Sequence, residues 1–267
     1  MPIVFLSPST QLSHPFTLPL MPIVFLSPST QDWNPYVTGS GSEEYWMNRI
    51  VDAMEPYLRS NGIRYRRNDP DTSAGAAIRE ANSGYYDFYL ALHSNAIGNG
   101  SAQTSARGII AFYYPGSAGG QRGAELIAKN LREIYPLPDK VTTRPTTALG
   151  EVSRSRFPAV LVEIGYHDNY SDALWLESHV EDVARQLVKA LTEYFGLPFI
   201  QPMDPKRGTV RLSYGTLNLR AAPSSAGTVI ANLPNGAEVT VYGEWNGWYV
   251  VQYGDQVGYA AAAYIDV

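Results

Sequence analysis

Four histidines and no cysteine leave this chain few side chains able to hold a metal or attack a substrate. His93 closes the apolar run DFYLAL and opens onto Ser-Asn. Glu163 stands near the end of a second run, PAVLVEIGY, and His167 follows in GYHDN. Glu43 and Glu44 sit side by side where a helical stretch begins. An imidazole and carboxylates, each beside its own apolar run, are the groups a divalent ion or a general acid–base pair needs.

Each has a plainer reading as well. Sites on α/β sheets gather at the carboxyl ends of strands, where His93 falls, yet a hydrogen-bonded core histidine can share that address. A carboxylate at a helix start gains from the helix dipole, which accounts for one of the Glu43–Glu44 pair and leaves the other free. A buried carboxylate is costly, so Glu163 must pair, bind metal or keep a raised pKa. Arg154 and Arg156 are the candidate partners if it pairs. His179 falls inside a long helical pattern and reads as a surface residue.

These residues depend on alternating strands and helices. PIVFLS (22–27), IRYRRN (63–68), DFYLALHSN (87–95), RGIIAFYYP (107–115) and PAVLVEIGY (158–166) read as strands. Helices are expected over 43–62, 72–84, 120–136 and 172–196, the first with Trp46, Met47, Ile50, Val51, Met54, Tyr57 and Leu58 at helical spacing. Continuous apolar strands between helices predict an α/β fold, its mainly parallel sheet covered by helices on both faces. Residues 197–208, LPFIQPMDPKRG, are Pro-rich and read as a linker. From 209 to 267 short strands separated by PNGA, WNGW and YGDQ predict a small β-barrel.

The start is unusual. MPIVFLSPSTQ at 1–11 recurs unchanged at 21–31. A structural repeat would drift, so this reads as a recent duplication or a start-site artefact. The second copy is the expected first strand, because it keeps a short connection to Glu44. Residues 1–20, with His14, are then a leader, and 21–196 the main domain.

Composition narrows the function. The net charge of −5 lacks the basic footprint of nucleic-acid binding. Without cysteine there are no disulfides, thiolate nucleophiles or Cys-ligated zinc. No stretch reaches the ~18 apolar residues of a membrane span, and no basic, apolar secretory signal is recognisable at the N-terminus.

Taken in order, PIVFLSP, EEYWMN, RRNDPDT, ALHSNA, RGIIAFYY and PAVLVEIGYHDN resemble the zinc-dependent N-acetylmuramoyl-L-alanine amidases of the amidase-3 family, over roughly residues 22–196. The resemblance implies a phosphorylase/hydrolase-like sheet. It also implies hydrolysis of the amide between N-acetylmuramic acid and L-alanine of the peptidoglycan stem peptide. By the match, Glu44 and His93 are zinc ligands and Glu163 is the catalytic carboxylate. Asn95 and Arg107 fall where they could line the cleft.

One element departs from the family. Its first strand ends in a DPGH-like turn whose histidine is a third ligand, whereas this chain has LSPSTQDWN, with Thr30 or Gln31 at that place. His167 is the favoured replacement, imidazole being a better zinc ligand than a carboxamide. Gln31, Asn34 or a metal-poor, inactive site are the alternatives, and His167 could instead cap the closing helix near Asp168 and Asp172.

LNLRAAPS, TVIANLPNGAEVTVYGE, NGWYVVQY and VGYAAAAYI resemble a bacterial SH3 (SH3b) module, which implies attachment to peptidoglycan. Trp248 is expected in its core, and Trp245, in a turn, as a binding residue. The expected whole is a monomeric wall hydrolase acting outside the cell or on the wall; without a recognised signal, a lysin released by lysis, a sporulation enzyme of the mother cell and a truncated gene are equally open. The competing expectations are a wall-binding protein that has lost its metal and a metallopeptidase cutting within the stem peptide.

Overall fold

The structure, a computed structural model, describes residues 21–97 and 103–267. The expected leader, including His14, lies outside the described residues.

The first part is a six-stranded sheet with helices on both faces. In chain order its elements are β1 (Ile23–Pro28), α1 (Glu43–Ser60), β2 (Arg64–Arg67), α2 (Ala74–Ser83), β3 (Phe88–Asn95) and β4 (Ile109–Tyr113). There follow α3 (Ala118–Leu131), β5 (Val141–Pro145), α4 (Gly150–Ser153), β6 (Ala159–Tyr166), α5 (Tyr170–Ser178) and α6 (Val180–Phe195). The strand order is β2-β1-β3-β6-β4-β5. All neighbours run parallel except β4, which is antiparallel to β6. The mainly parallel sheet expected from the apolar runs is therefore present.

Strand alternation sorts the core onto two faces. Val24, Leu26, Phe88, Leu90, Leu92, Val160, Val162 and Ile164 pack in one cluster with α1, α3 and α6. Phe25, Tyr89, Ala91, Ala159 and Leu161 pack on the opposite face with Ala77 and Ala81 of α2 and Val152 of α4. By the same period of two, Ser27, Tyr89, His93 and Glu163 share the α2–α4 face. His93 and Glu163 are direct partners across β3 and β6.

Local chemistry sets the element ends. The Ser42 side chain accepts from the Tyr45 amide and caps α1, the usual way to satisfy a free helix N–H. The single closing helix expected over 172–196 is two helices, broken at His179. Its imidazole Nδ1 lies 2.8 Å from the Trp175 carbonyl, and its ring stacks on the Trp175 indole. The residue expected on the surface is thus a half-buried joint. Gly165 has φ +75° where β6 turns, a conformation costly for other residues. The turn brings the Tyr166 and Gly108 amides onto the carboxylate of Asp172, which also accepts from Arg107 and Tyr135.

The second part is a seven-stranded antiparallel sheet in the order β13-β7-β10-β11-β12-β8-β9. Its strands are β7 (Lys206–Val210), β8 (Thr216–Arg220), β9 (Val229–Pro234), β10 (Glu238–Trp245), β11 (Trp248–Tyr253), β12 (Gln256–Ala261) and β13 (Ile265–Asp266). Leu219, Val239, Val241, Val251 and Ala260 fill its core. Asn246 and Gly247 turn the β10–β11 hairpin with φ 45° and 79°, as Asn-Gly pairs favour. β7 begins inside the expected linker, where Lys206–Thr209 pair with β10. The rest of that linker is not loose. Ile200 is buried with Met21, Val250 and Tyr259, and Asn61 holds its backbone on both sides, with Ile200 N–H to Oδ1 at 2.6 Å and Nδ2 to the Ile200 carbonyl at 2.9 Å.

Candidate active site

His93 lies between two carboxylates. Its Nδ1 is 2.8 Å from Glu43 Oε1 and its Nε2 is 2.8 Å from Glu151 Oε2. All three are buried, with 9% exposure for His93, 1% for Glu43 and 4% for Glu151. Such a cluster is tolerable only because each group is paired.

The carboxylates reach His93 from different elements. Glu43 is the first residue of α1, and that helix places Glu43, Met47, Ile50 and Met54 on one buried stripe. Glu43 Oε2 accepts from Asn34 Nδ2 at 2.8 Å, which fixes the carboxylate from behind. Glu151 sits in the short α4, over the β1–β3–β6 face. Its Oε1 accepts from Ser27 Oγ at 2.6 Å and from Tyr89 Oη at 2.9 Å.

Electrostatics follows from this geometry. Burial would push the His93 pKa down, but the hydrogen bonds and charges of Glu151 and Glu43 outweigh it and hold it well above 6.5. Burial would raise Glu43, yet the bond and charge of His93, with bonds from Asn34 and Ser29, hold it below 4.5. Glu151 is likewise lowered against its burial, by His93, Ser27 and Tyr89.

Glu163 differs. Its Oε2 is buried and lacks a hydrogen-bond partner among the described residues. Burial lifts its pKa to about 7; the charge of His93 opposes this and those of Glu43 and Glu151 add to it. Neither candidate arginine pairs with it: Arg156 donates to the Asn82 carbonyl, and Arg154 is in no ion pair among the described residues. A carboxylate held near neutrality can take and return a proton, which a general acid–base must do.

The structure thus brings His93 and Glu163 together and treats the other two expected residues differently. Glu44, the expected ligand, turns away from His93. Its Oε1 accepts from Asn48 Nδ2 at 2.9 Å, one turn along α1, and its neighbour Glu43 takes the place beside the imidazole. The reason is helix phase, since 100° per residue separates the two carboxylates. His167 does not bond to His93 or Glu43. Its Nδ1 lies 2.9 Å from the Ser94 carbonyl and 3.1 Å from Ser94 Oγ, its ring stacks on Tyr36, and its Nε2 is buried without a partner among the described residues.

The first-strand alternatives stand closer. Gln31 Nε2 is 3.5 Å from His93 Nδ1, and Asn34 Nδ2 donates to Gln31 Oε1 at 3.0 Å. Arg107 is committed to Asp172 at 2.7 Å rather than to the cleft. Asn95 Oδ1 accepts from the Ala96 amide.

Among the described residues no three His, Asp or Glu side chains form a complete metal cluster. Two donors nonetheless converge where a divalent ion would be held, at the Nδ1 edge of His93. There an imidazole nitrogen and a carboxylate oxygen face each other, while their far atoms are held by Glu151 and Asn34. The buried oxygen of Glu163 belongs to the neighbouring strand, and Gln31 turns its amide nitrogen, which has no lone pair for a metal, toward His93 while its oxygen accepts from Asn34. Catalytic zinc prefers three protein ligands with His, Glu or Asp among them, so a site of this composition is one good ligand short.

In the small sheet a groove of about 430 Å³ is lined by Arg211, Tyr214, Arg220, Trp248 and Tyr264 among others. Trp248, expected in the core, is half-buried: it packs against the cluster of Val250 and Tyr259 and also lines that groove. Trp245 is exposed at the hairpin tip.

Comparison with known proteins accords with this geometry. No curated protein matches the chain. Solved structures similar to it include the N-acetylmuramoyl-L-alanine amidase AmiC2 of Nostoc punctiforme, with 16% identity, 65% of this chain and 97% of that chain covered, and a TM-score of 0.57. The catalytic domain of the amidase CwlV from Bacillus (Paenibacillus) polymyxa var. colistinus gives 17% identity, 67% and 100% coverage and a TM-score of 0.57. At these identities the likeness concerns the fold. Among family models, that of the bacterial SH3 domain matches residues 215–266. The model of the N-acetylmuramoyl-L-alanine amidases matches residues 30–193, more than half of the sequence, and the chain belongs to that family.

Proposed function

We propose that this protein hydrolyses the amide bond between N-acetylmuramic acid and L-alanine of the stem peptide, with zinc held by His93 and Glu43. The observation that carries this reading is the pairing of His93 Nδ1 with Glu43 Oε1 at 2.8 Å, on the strand next to the unpartnered Glu163. Family membership supports the reaction class.

Zinc bound there would supply a Lewis acid for the amide carbonyl and lower the pKa of water. The protein's own part is proton transfer and orientation. Glu163, with a pKa of about 7, takes a proton from the attacking water and returns it to the leaving amine of L-alanine. His93 and Glu43 present their donor atoms from fixed positions, so little reorganisation accompanies the step. The carboxamide of Gln31 completes the rim.

The groove of Arg211, Arg220, Tyr214, Trp248 and Tyr264 is the proposed wall contact. Its guanidinium groups suit carboxylates of the stem peptide and its rings suit sugar faces. Action at the cell wall, outside the membrane, follows from this substrate, and a single chain contains every group invoked.

Two measurements test the proposal. Mass spectrometry of digested muropeptides should show intact stem peptides with a free L-alanine amine; cleavage within the stem would make the protein a peptidase instead. Dialysis against a chelator should abolish release and added zinc restore it. Wall binding that survives while no peptide is released at any zinc concentration would leave only an anchoring role.

A further inference from the structure

Glu151 has no place in the family motif read from the sequence, yet both of its oxygens are held within the site. It stands in a four-residue helix with no apolar periodicity. Each carboxylate oxygen is committed: Oε1 accepts from Ser27 and Tyr89, and Oε2 from His93 Nε2. The three partners come from two neighbouring strands, β1 and β3, and all lie on the face that α4 covers.

The two edges of the His93 ring are consequently unlike. The Nδ1 edge faces Glu43, Gln31 and Asn34, and the last two, on the β1–α1 loop, are half-buried and reach the surface. Among the described residues the Nε2 edge bonds to Glu151, beneath α4, where Ser27, Tyr89, Ala91 and Val152 are all buried. A cation arriving from solvent meets the first edge, whereas the second is closed. A metal that takes the lone pair of one imidazole nitrogen displaces any proton there to solvent, and the hydrogen bond at the other nitrogen fixes which one stays protonated.

We infer that Glu151 is a positioning residue: it keeps the proton on His93 Nε2, holds the ring in plane, and thereby presents the Nδ1 lone pair to the metal. The inference rests on the zinc reading above and adds to it the group that orients the ligand. Outer carboxylates of this kind raise ligand basicity and hold ring orientation. Ser27 and Tyr89 serve the carboxylate in turn, by occupying the oxygen that does not touch His93.

The test uses the full chain. Zinc affinity is measured by chelator competition on wild type, Glu151→Ala and Glu151→Gln, and the ligating nitrogen of His93 is read from imidazole ¹³C and ¹⁵N shifts of the zinc-loaded wild type. The expected loss for Glu151→Ala is about 10- to 100-fold in zinc affinity. Glu151→Gln, whose carboxamide oxygen still accepts from Nε2–H, should recover most of it. The loaded wild type should show zinc on Nδ1 and a proton on Nε2. Should Glu151→Ala fail to fold, the wild-type spectrum and Glu151→Gln still decide. Zinc on Nε2, or an alanine variant that binds as tightly as wild type, overturns the inference alone. A wild type that takes up no zinc overturns the zinc reading and this inference with it.

Discussion

Two neighbouring strands end in opposite electrostatic conditions. At the end of β3, His93 has every polar atom matched, and both of its carboxylates are held below their ordinary pKa. One strand over, at the same level of the sheet, Glu163 has an oxygen without a partner among the described residues and a pKa of about 7. Matched groups hold a position; an unmatched one is available for reaction. The cost of leaving Glu163 unmatched falls on the fold, as strain at functional sites commonly does.

The strongest challenge to that contrast is Glu163→Gln. Loss of a general acid–base should reduce amidase activity by about 10²- to 10⁴-fold, measured as released stem peptide. The same change should stabilise the metal-free protein. The folded pKa is raised from 4.5 to about 7, so the fold favours the protonated carboxyl and loses stability as pH rises through that window. Gln carries no charge to bury. At pH 8 the variant should gain up to about 3 kcal/mol, less whatever solvent screening removes, and at pH 4 the two proteins should melt alike. Equal melting temperatures at pH 8 would mean that Glu163 is not held in an unfavourable site.

The matched side gives the next largest effect. Glu43→Ala should weaken zinc binding by more than about 100-fold, beyond the loss typical of an outer-sphere group, whereas Glu44→Ala should leave it within about twofold, a surface change of ordinary size. Isothermal titration on both variants checks this. A reversed order would return the ligand role to Glu44 and require a rotated start to α1.

How far these residues could be read from the sequence depends on how local their signals are. Buried parallel strands are near-continuous apolar runs, so β1, β3 and β6 were legible, and with them the strand-end position of His93. The choice between Glu43 and Glu44 was also present in the pattern: Glu43 continues the Met47–Ile50–Met54 stripe, and Glu44 does not. β5 and α4 were not legible, because VTTRP and GEVS are short and carry no run or period. Glu151 went with them. Its role depends on Ser27, Tyr89 and His93, which lie 124, 62 and 58 positions away, and no local spacing encodes contacts at that range. The break at His179 was hidden because apolar periodicity runs on through it, and only the imidazole's bond to the Trp175 carbonyl marks the joint.

The smallest effect concerns the place where the family's third histidine is missing. Gln31 stands 3.5 Å from His93 Nδ1, with its own oxygen taken by Asn34. If the Nδ1 edge is where the ion sits, Gln31→His adds a matched donor on the side already well satisfied and leaves Glu163 untouched. Imidazole outranks a carboxamide as a zinc ligand, so affinity should tighten by about tenfold, read by chelator competition. The pH at which activity is half-maximal, set by Glu163, should move far less than the affinity. An unchanged affinity would place the ion elsewhere, and a large shift in the pH profile would show that the two sides of the cleft are not independent.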